Sequence, residues 1–285
     1  MASRKAAGVV HRALWLVFVV QAVASVLVEP PYPYAVGWLP AIAALVLGVT
    51  LSRTARRRFE AAPPREPVEV AAPVTGRWSA LNSPADRTPS HGTHQLAQTY
   101  AIDIVREDAD RPRPGFAWLW PVARRSEVFP AFGAPLLAVA DGTVVRAEDG
   151  QRDHLGRGSL PGLAYLMLIE SSFRALGGAR RITGNHLVLD LGDGTYAMYA
   201  HLRRGSLAVR PGDRVVAGRE LARCGNSGNS TEPHVHFQLM DGPDPETALG
   251  LPFTWRGVGL PGNGETFEVP APAHADPAGG HPAAA

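Results

Sequence analysis

The sequence has little cysteine and little charge. Cys224 is the only cysteine among 285 residues, which excludes an intrachain disulfide framework and a zinc site built from a cysteine cluster. Charged residues make up 19% of the chain, and the apolar content of 45% is too high for a disordered protein. The body of the chain has no basic stripe interleaved with aromatic residues, so nothing in its sequence predicts nucleic-acid binding.

Acidic residues are nearly absent from the first 58 residues. Seven basic residues stand there against Glu29 alone, whereas the rest of the chain has 21 basic and 25 acidic residues. The net charge of +2 therefore hides a basic N-terminus attached to a mildly acidic body. Two apolar runs, 13–28 and 37–51, lie in this basic region and flank a segment rich in proline and tyrosine. We predict that residues 1–58 form a membrane anchor, a transmembrane helical hairpin.

Two other interpretations of the apolar runs stay open. They could be two buried helices of a soluble domain, although no charge interrupts either run. The first run could also be a signal peptide with a cleavage site at Ala22-Val23-Ala24, but the second run so soon afterwards favours an uncleaved anchor. Beyond the anchor we expect a linker rich in proline and alanine at 59–76, a globular body at 77–269 and a disordered tail at 270–285.

Alternation with a period of two residues between turn signals predicts that the body is mainly β, a compact antiparallel fold. One hairpin is expected to turn at Asp141-Gly142 and a second at 192–194. Cys224 is expected to be a small buried residue rather than a nucleophile. The expected strands are 136–140, 143–145, 186–191, 195–202, 206–209, 215–217, 220–222 and 235–240, with one helix at 162–176.

Histidines are concentrated in three short segments of the body. His234 and His236 stand two residues apart on a predicted strand, so both side chains point to one face of the sheet. His201 ends another predicted strand, and His91 and His94 precede Asp103. A set of two histidines and one aspartate would satisfy a catalytic zinc, which takes three nitrogen or oxygen ligands and leaves a fourth position open. By itself, a His-x-His pair is weak evidence for such a site.

These motifs resemble the lysostaphin or LytM-type zinc metalloendopeptidases, from about Asn82 to Met240. The resemblance is carried by the segments 138–144, 184–185, 199–202 and 211–237, the last of which includes a glycine-rich approach to the His-x-His pair. It implies a duplicated-hybrid-motif β fold. It also implies one Zn²⁺ per domain and a bacterial peptidoglycan peptide as the substrate.

Carried over residue by residue, the resemblance implies that Asp103 and His236 bind zinc. His201 and His234 would be the catalytic pair that activates water and stabilises the transition state. The common family pattern has a histidine four residues before the aspartate, where this chain has Thr99, so the remaining ligand is either His91 or His94. The sequence context of His91 favours it over His94.

Together with the anchor predicted from the two apolar runs, the resemblance implies a membrane-anchored endopeptidase that cleaves peptide bonds in peptidoglycan stems or cross-bridges. A non-catalytic scaffold of the same fold that regulates cell-wall hydrolases is the alternative, a binding module with incidental histidines is a third, and a regulatory protein partner is left open. The substrate would place the body outside the cytoplasm, whereas the arginines on both flanks of the anchor predict the inside. The long stretch 148–183 could shape a groove, contact the membrane, cap the site or be a tolerated surface insertion.

Overall fold

The computed structural model describes residues 2–270, so the predicted tail lies outside the described residues from 271 onward. Two long helices open the chain, α1 (Ala2–Leu27) and α3 (Leu39–Ala61), joined through the short α2 (Tyr34–Gly37). They pack against each other as a hairpin. Both are long and apolar enough to cross a membrane. Only Ala41 and Ala44 of α3 are buried, so the alternative of two buried helices in a soluble core is wrong.

The body is built around one nine-stranded sheet. The strands of the body are β1 (Val68–Val70), β2 (Gly76–Leu81), β3 (Ile102–Arg106), β4 (Pro135–Leu137), β5 (Gly142–Glu148), β6 (Asn185–Gly192), β7 (Thr195–Leu202), β8 (Arg214–Val215), β9 (Glu220–Arg223), β10 (Val235–Met240), β11 (Gly250–Leu251), β12 (Phe253–Trp255) and β13 (Thr266–Val269). The strand order of the large sheet is β13-β2-β3-β10-β7-β6-β5-β8, β11 pairs with β10, and the pairings within this sheet are antiparallel. Two small sheets, β1 with β12 and β4 with β9, complete the body. Because about 30% of the chain is helical, the predicted class "mainly β" describes the body and not the whole chain.

The two faces of the large sheet bury different groups. One face carries the main core, which includes a string of aromatic rings that runs from Tyr199 through Phe237 to Trp255. The opposite face carries a small apolar cluster around Met198 and Met240. Alternation along β7 and β10 produces this division, since neighbouring residues on a strand face opposite sides. Cys224 is buried in the main core, as expected.

One predicted hairpin is confirmed and the other is wrong. β6 and β7 pair around Asp193 and Gly194, whose φ angles of 51° and 74° suit the tight turn that Asp-Gly favours. The strand around Leu136 does not pair with β5 across Asp141-Gly142. It pairs with β9, and β5 instead lies between β6 and β8. The strand 235–240 is confirmed as β10, whereas 206–209 forms no strand.

The long stretch 148–183 contains the predicted helix. It is made of α4 (Leu160–Tyr165), a π-helical turn (Leu166–Glu170) and α5 (Ser171–Leu176), followed by α6 (Ala179–Thr183). Ser159 caps the start of α4 by accepting a hydrogen bond from the backbone N–H of Gly162. The helical segment 160–176 is therefore an ordered addition to the β body.

Both free ends of the helical hairpin contact the body. Arg12 of α1 forms an ion pair with Glu246, and Phe59 near the end of α3 stacks on His94. The segment 59–76, expected to be a linker, contains the last residues of α3 and strand β1. The division into anchor, linker and body stays a prediction, but residues 62–67 are the only part of that segment that separates α3 from β1.

Candidate metal centre

The sheet register brings Asp103 and His236 side by side. Asp103 on β3 and His236 on β10 are directly paired residues of neighbouring antiparallel strands. His236 Nδ1 lies 2.8 Å from Asp103 Oδ1. On the other side of β3, Asn82 follows the end of β2 and donates from Nδ2 to Asp103 Oδ2 at 2.9 Å. The carboxylate is thus held in a fixed orientation between two strands.

His91 completes a group of three ligand atoms. It lies in the loop before β3, and its Nε2 is 3.0 Å from Asp103 Oδ2. One ligand atom each from His91, Asp103 and His236 lies within 4.8 Å of the others. Tetrahedral zinc with bonds of about 2.0–2.2 Å needs neighbouring ligand atoms about 3.3 Å apart. The nitrogens of His236 and His91 lie 2.8 and 3.0 Å from the two different oxygens of Asp103, and the three ligand atoms all lie within 4.8 Å of one another, so the group has a size that suits one ion.

The hydrogen bonds behind the two imidazoles assign their tautomers. Ser90 Oγ donates to Ala101 O at 2.6 Å, so it can only accept from His91 Nδ1, which is 3.0 Å away. Gln238 donates from Nε2 to Leu96 O and presents Oε1 to His236 Nε2 at 2.9 Å. These contacts leave the lone pairs of His91 Nε2 and His236 Nδ1 facing Asp103, as in metal sites whose ligands are oriented from behind.

Imidazole lone pairs at 2.8 and 3.0 Å from the Asp103 oxygens repel that carboxylate unless a positive charge lies between the nitrogen and the oxygen. A proton on an imidazole or a metal cation would supply that charge. Burial by itself would raise the pKa of Asp103, but the positive charges of His234 and His91 and the hydrogen bonds from His234 and His236 hold it well below its usual range. The chemistry of the donor set, two nitrogens and one oxygen without cysteine, fits zinc.

A second pair of imidazoles lies beside the first group. The ring centroids of His201 and His234 are 4.8 Å apart, and those of His201 and His236 are 5.7 Å apart. His234 shares the face of His236 because it precedes it by two residues. His201 follows Ala200, which pairs with His236, and would face away from the site in a regular strand. Its φ of 59° breaks the alternation and brings its ring to the side of the site.

The far nitrogens of this pair are also occupied. His201 Nδ1 donates to Ser227 O at 2.8 Å, and His234 Nδ1 donates to Glu232 O at 2.8 Å. Each Nε2 atom is therefore left for the site, and that of His234 lies 3.5 Å from Asp103 Oδ1. Burial and the neighbouring His234 and His236 depress the pKa of His201 well below its usual range. Burial lowers the pKa of His234, but the Asp103 carboxylate outweighs it, so the pKa is raised.

His94 lies apart from this constellation. Its Nδ1 is 3.0 Å from Thr99 Oγ1, and its ring stacks on Phe59 with the centroids 4.6 Å apart. The structure therefore places His91 and not His94 in the candidate metal group. The assignment of ligands and of the catalytic pair from the sequence remains a prediction.

Sequence reasoning missed four residues that orient the site. They share one property: each forms a hydrogen bond with a predicted site residue. Gln238 could have been found, because it follows His236 by two residues on the same face of β10. Ser90 lies in the sequence context that favours His91, but nothing in the sequence gave an orienting role to the other three. The four residues are Asn82, Ser90, Ser227 and Gln238.

Residues 174–246 match the family model described as Peptidase family M23. The expected resemblance to these peptidases is confirmed for this segment. The M23 segment contains His201, His234 and His236, whereas His91 and Asp103 precede it. His91 and Asp103, the other two members of the candidate metal group, are therefore identified by the sheet register and the contact distances and not by the family match.

Two curated relatives are similar to part of this chain. The glycyl-glycine endopeptidase ALE-1 of Staphylococcus capitis is 38% identical over 74 residues, which are 26% of this chain and 18% of that protein. The peptidoglycan DD-endopeptidase ShyA of Vibrio cholerae is 33% identical over 57 residues, 20% of this chain and 13% of that protein. The aligned part therefore spans less than a fifth of either M23 relative.

Solved M23-like structures are also similar to this chain. LytU is 20% identical, covers 66% of this chain and 85% of its own, and has a TM-score of 0.31. The catalytic domain of lysostaphin from Staphylococcus simulans is 23% identical, covers 48% of this chain and 83% of its own, and has a TM-score of 0.28.

Proposed function

We propose that the chain is a membrane-anchored zinc metalloendopeptidase that hydrolyses peptide bonds in peptidoglycan stems or cross-bridges. The observation that carries this proposal is the grouping of His91, His234 and His236 around the Asp103 carboxylate, with His201 beside them, in a chain with an M23 segment. The names of the two curated relatives, a glycyl-glycine endopeptidase and a DD-endopeptidase, support a peptide bond of the cell wall as the substrate.

His91 Nε2, Asp103 and His236 Nδ1 would hold the zinc ion. When bound, zinc polarises a scissile carbonyl and lowers the pKa of water. The protein's own part is to hold these three ligands from behind through Ser90 and Gln238, so that no side chain has to reorganise during the reaction.

His201 and His234 would move protons and bind the oxyanion. Each has one nitrogen fixed on a backbone carbonyl, which leaves the other nitrogen for the site. Such an imidazole can accept a proton from an attacking water, and once protonated it can donate a hydrogen bond to the tetrahedral oxyanion and return the proton to the leaving amine. The closeness of the two rings lets one act as base while the other stabilises charge.

Two substitutions separate metal binding from proton transfer. His236→Ala is expected to lose both zinc and peptidoglycan hydrolysis. His201→Ala is expected to keep its zinc and to lose hydrolysis by 10²-fold or more, because general acid-base catalysis contributes about 10²–10⁴-fold. The measurements are zinc content by atomic emission and release of soluble cell-wall fragments. His186→Gln, at a buried histidine of β6 that bonds Gly184 O, is the matched control.

A fully active His201→Ala protein would contradict the mechanism. Absence of zinc from the purified wild-type protein after growth with zinc would contradict the enzymatic assignment and favour the non-catalytic scaffold.

The side of the membrane needs its own experiment. The ion pair of Arg12 with Glu246 and the stacking of Phe59 on His94 place both hairpin ends next to the body. If both helices span, the body lies on the same side as the N-terminus. Cell-wall hydrolysis requires that side to be extracytoplasmic, against the arginines at both ends. Alkaline phosphatase fused after Ala285 should be active, and an inactive fusion would exclude mature peptidoglycan as the substrate.

A further inference from the structure

A loop of the body exposes large apolar side chains to solvent. Trp118, Leu119 and Trp120 lie between β3 and β4 and are 76%, 69% and 82% exposed. Isolated exposed apolar residues are ordinary, but three consecutive ones that include two indoles are not. This loop therefore contacts something other than water in the working protein.

The helical segment 160–176 exposes a second apolar row. Leu168 is 72% exposed and Phe173 is 60% exposed, and Met167 beside them is also exposed. In contrast, Leu166 and Gly162 are buried against the body. The segment is thus fixed on one side and apolar on its free side.

Hydrogen bonds join the loop and the helical segment into one unit. Leu160 N donates to Ala117 O and Trp118 O, and Ala117 N donates to Gly158 O at 2.8 Å. Ser159 Oγ donates to Val122 O at 2.7 Å. We define the interfacial surface as six of the exposed apolar residues of this unit: Trp118, Leu119, Trp120, Met167, Leu168 and Phe173.

The interfacial surface is continuous with the helical hairpin. α5 contacts α1, and a Cβ at Gly178, just after α5, would lie 3.4 Å from the guanidinium of Arg12. Arg12 is the last charged residue before the apolar run of α1, so it marks the level at which the hairpin enters a membrane. The helical segment therefore ends at the height of the bilayer surface.

We propose that the interfacial surface inserts into the headgroup and acyl boundary of the same bilayer that α1 and α3 cross. The proposal rests on the membrane anchoring put forward under Proposed function. Tryptophan is enriched at that boundary because its ring is apolar and its N–H is polar. Arg124 and the exposed Arg125 follow the loop, and although Arg125 pairs with Glu127, Arg124 leaves this flank with a net positive charge that suits anionic headgroups. The occupant is therefore a lipid bilayer and not a protein.

Site-directed fluorescence on the full chain tests this proposal. Single cysteines are placed at Trp120 or Leu168 in a Cys224→Ala background and labelled with an environment-sensitive nitrobenzoxadiazole dye. The proteins are reconstituted in vesicles of four parts phosphatidylcholine and one part phosphatidylglycerol. Val216→Cys is the matched control, since Val216 is an exposed apolar residue of the body outside the interfacial surface. Val20→Cys in α1 reports insertion of the hairpin.

Labels at 120 and 168 should have blue-shifted emission and be quenched at least twofold by spin-labelled lipid, whereas the label at 216 should respond only to aqueous iodide. Iodide quenching at 120 and 168 equal to that at 216 would overturn the proposal. Protection of both labels from lipid and iodide alike would overturn it too, in favour of a protein partner. A label at Val20 that lipid does not quench would refute the anchoring itself. If the protein does not hydrolyse peptidoglycan although lipid quenches the labels at 120 and 168, only the enzymatic assignment is refuted.

Discussion

Replacing Ser90 should weaken zinc binding although Ser90 touches no zinc ligand atom. Ser90 is fully buried, and its Oγ accepts the only hydrogen bond available to His91 Nδ1 among the described contacts. In Ser90→Ala the His91 ring loses the contact that fixes its tautomer and its rotation. Loss of such an orienting partner typically costs 10–100-fold in metal affinity, which is about 1.4–2.8 kcal/mol.

Ser159→Ala is the matched control for this change. Ser159 is also fully buried, and its Oγ donates to Val122 O at 2.7 Å and accepts from Gly162 N at 3.1 Å. Both substitutions remove one donated and one accepted hydrogen bond, so each should cost about 1–3 kcal/mol in the free energy of unfolding. Only Ser90→Ala should change the zinc affinity.

Competition with a chromophoric chelator at a fixed pH measures the zinc Kd of both variants. We expect a Kd raised 10- to 100-fold for Ser90→Ala and within twofold of wild type for Ser159→Ala. A Ser90→Ala Kd within twofold of wild type would show that the hydrogen bond to His91 Nδ1 does not orient a ligand. An equal loss in both variants would assign the effect to general destabilisation.

Three further predictions concern the site and its support. His91→Ala should abolish stoichiometric zinc binding and His94→Ala should preserve it. Atomic emission measures the zinc content of both variants, and the reverse result would contradict the choice of His91 as the ligand. Gly184→Ala should lower the thermal midpoint more than Gly192→Ala does: both glycines have positive φ, but a Cβ at Gly184 would lie 2.5 Å from backbone atoms of Ser227, and at Gly192 it would meet nothing within 4 Å. Equal midpoints would show that the segment relaxes. In urea unfolding, the free energy of unfolding should be about 2.7 kcal/mol lower with a chelator than with zinc at a hundredfold excess over its Kd. An unchanged urea midpoint would argue against a resident ion.

A turn can be predicted from the sequence only where its residues are selected by the backbone conformation of the turn itself. Asp193-Gly194 forms the expected two-residue hairpin loop because both residues need positive φ there. The similar pair Asp141-Gly142 does not form a hairpin turn, and its two residues contact distant segments instead. A Cβ at Gly142 would lie 2.4 Å from Asp190 O, so this glycine permits a close approach of β6. Asp141 Oδ1 accepts from Ala217 N, a contact between segments 76 residues apart that no local pattern contains.

In the candidate site, too, one part of the arrangement can be predicted from the sequence and another part depends on tertiary contacts. The common face of His234 and His236 follows from strand alternation, which a sequence shows directly. The pairing of His236 with Asp103 joins residues that are 133 positions apart, and only the register of β3 against β10 brings them together. The position of His201 depends on a φ of 59° that interrupts β7, which is opposite to what alternation predicts. Residue types therefore revealed the donor set, and the tertiary structure supplied its geometry.

The contacts between hairpin and body restrict where the proposed enzyme can work. Phe59 of α3 stacks on His94, and His94 belongs to the same loop as His91. Only residues 62–67 separate α3 from β1, and six extended residues reach about 21 Å at most. If α1 and α3 cross a membrane as proposed, the candidate metal centre is held close to its surface and cannot range through a thick wall. The proposed substrate would then have to reach the bilayer, which favours newly inserted peptidoglycan or its lipid-linked precursors over mature outer layers.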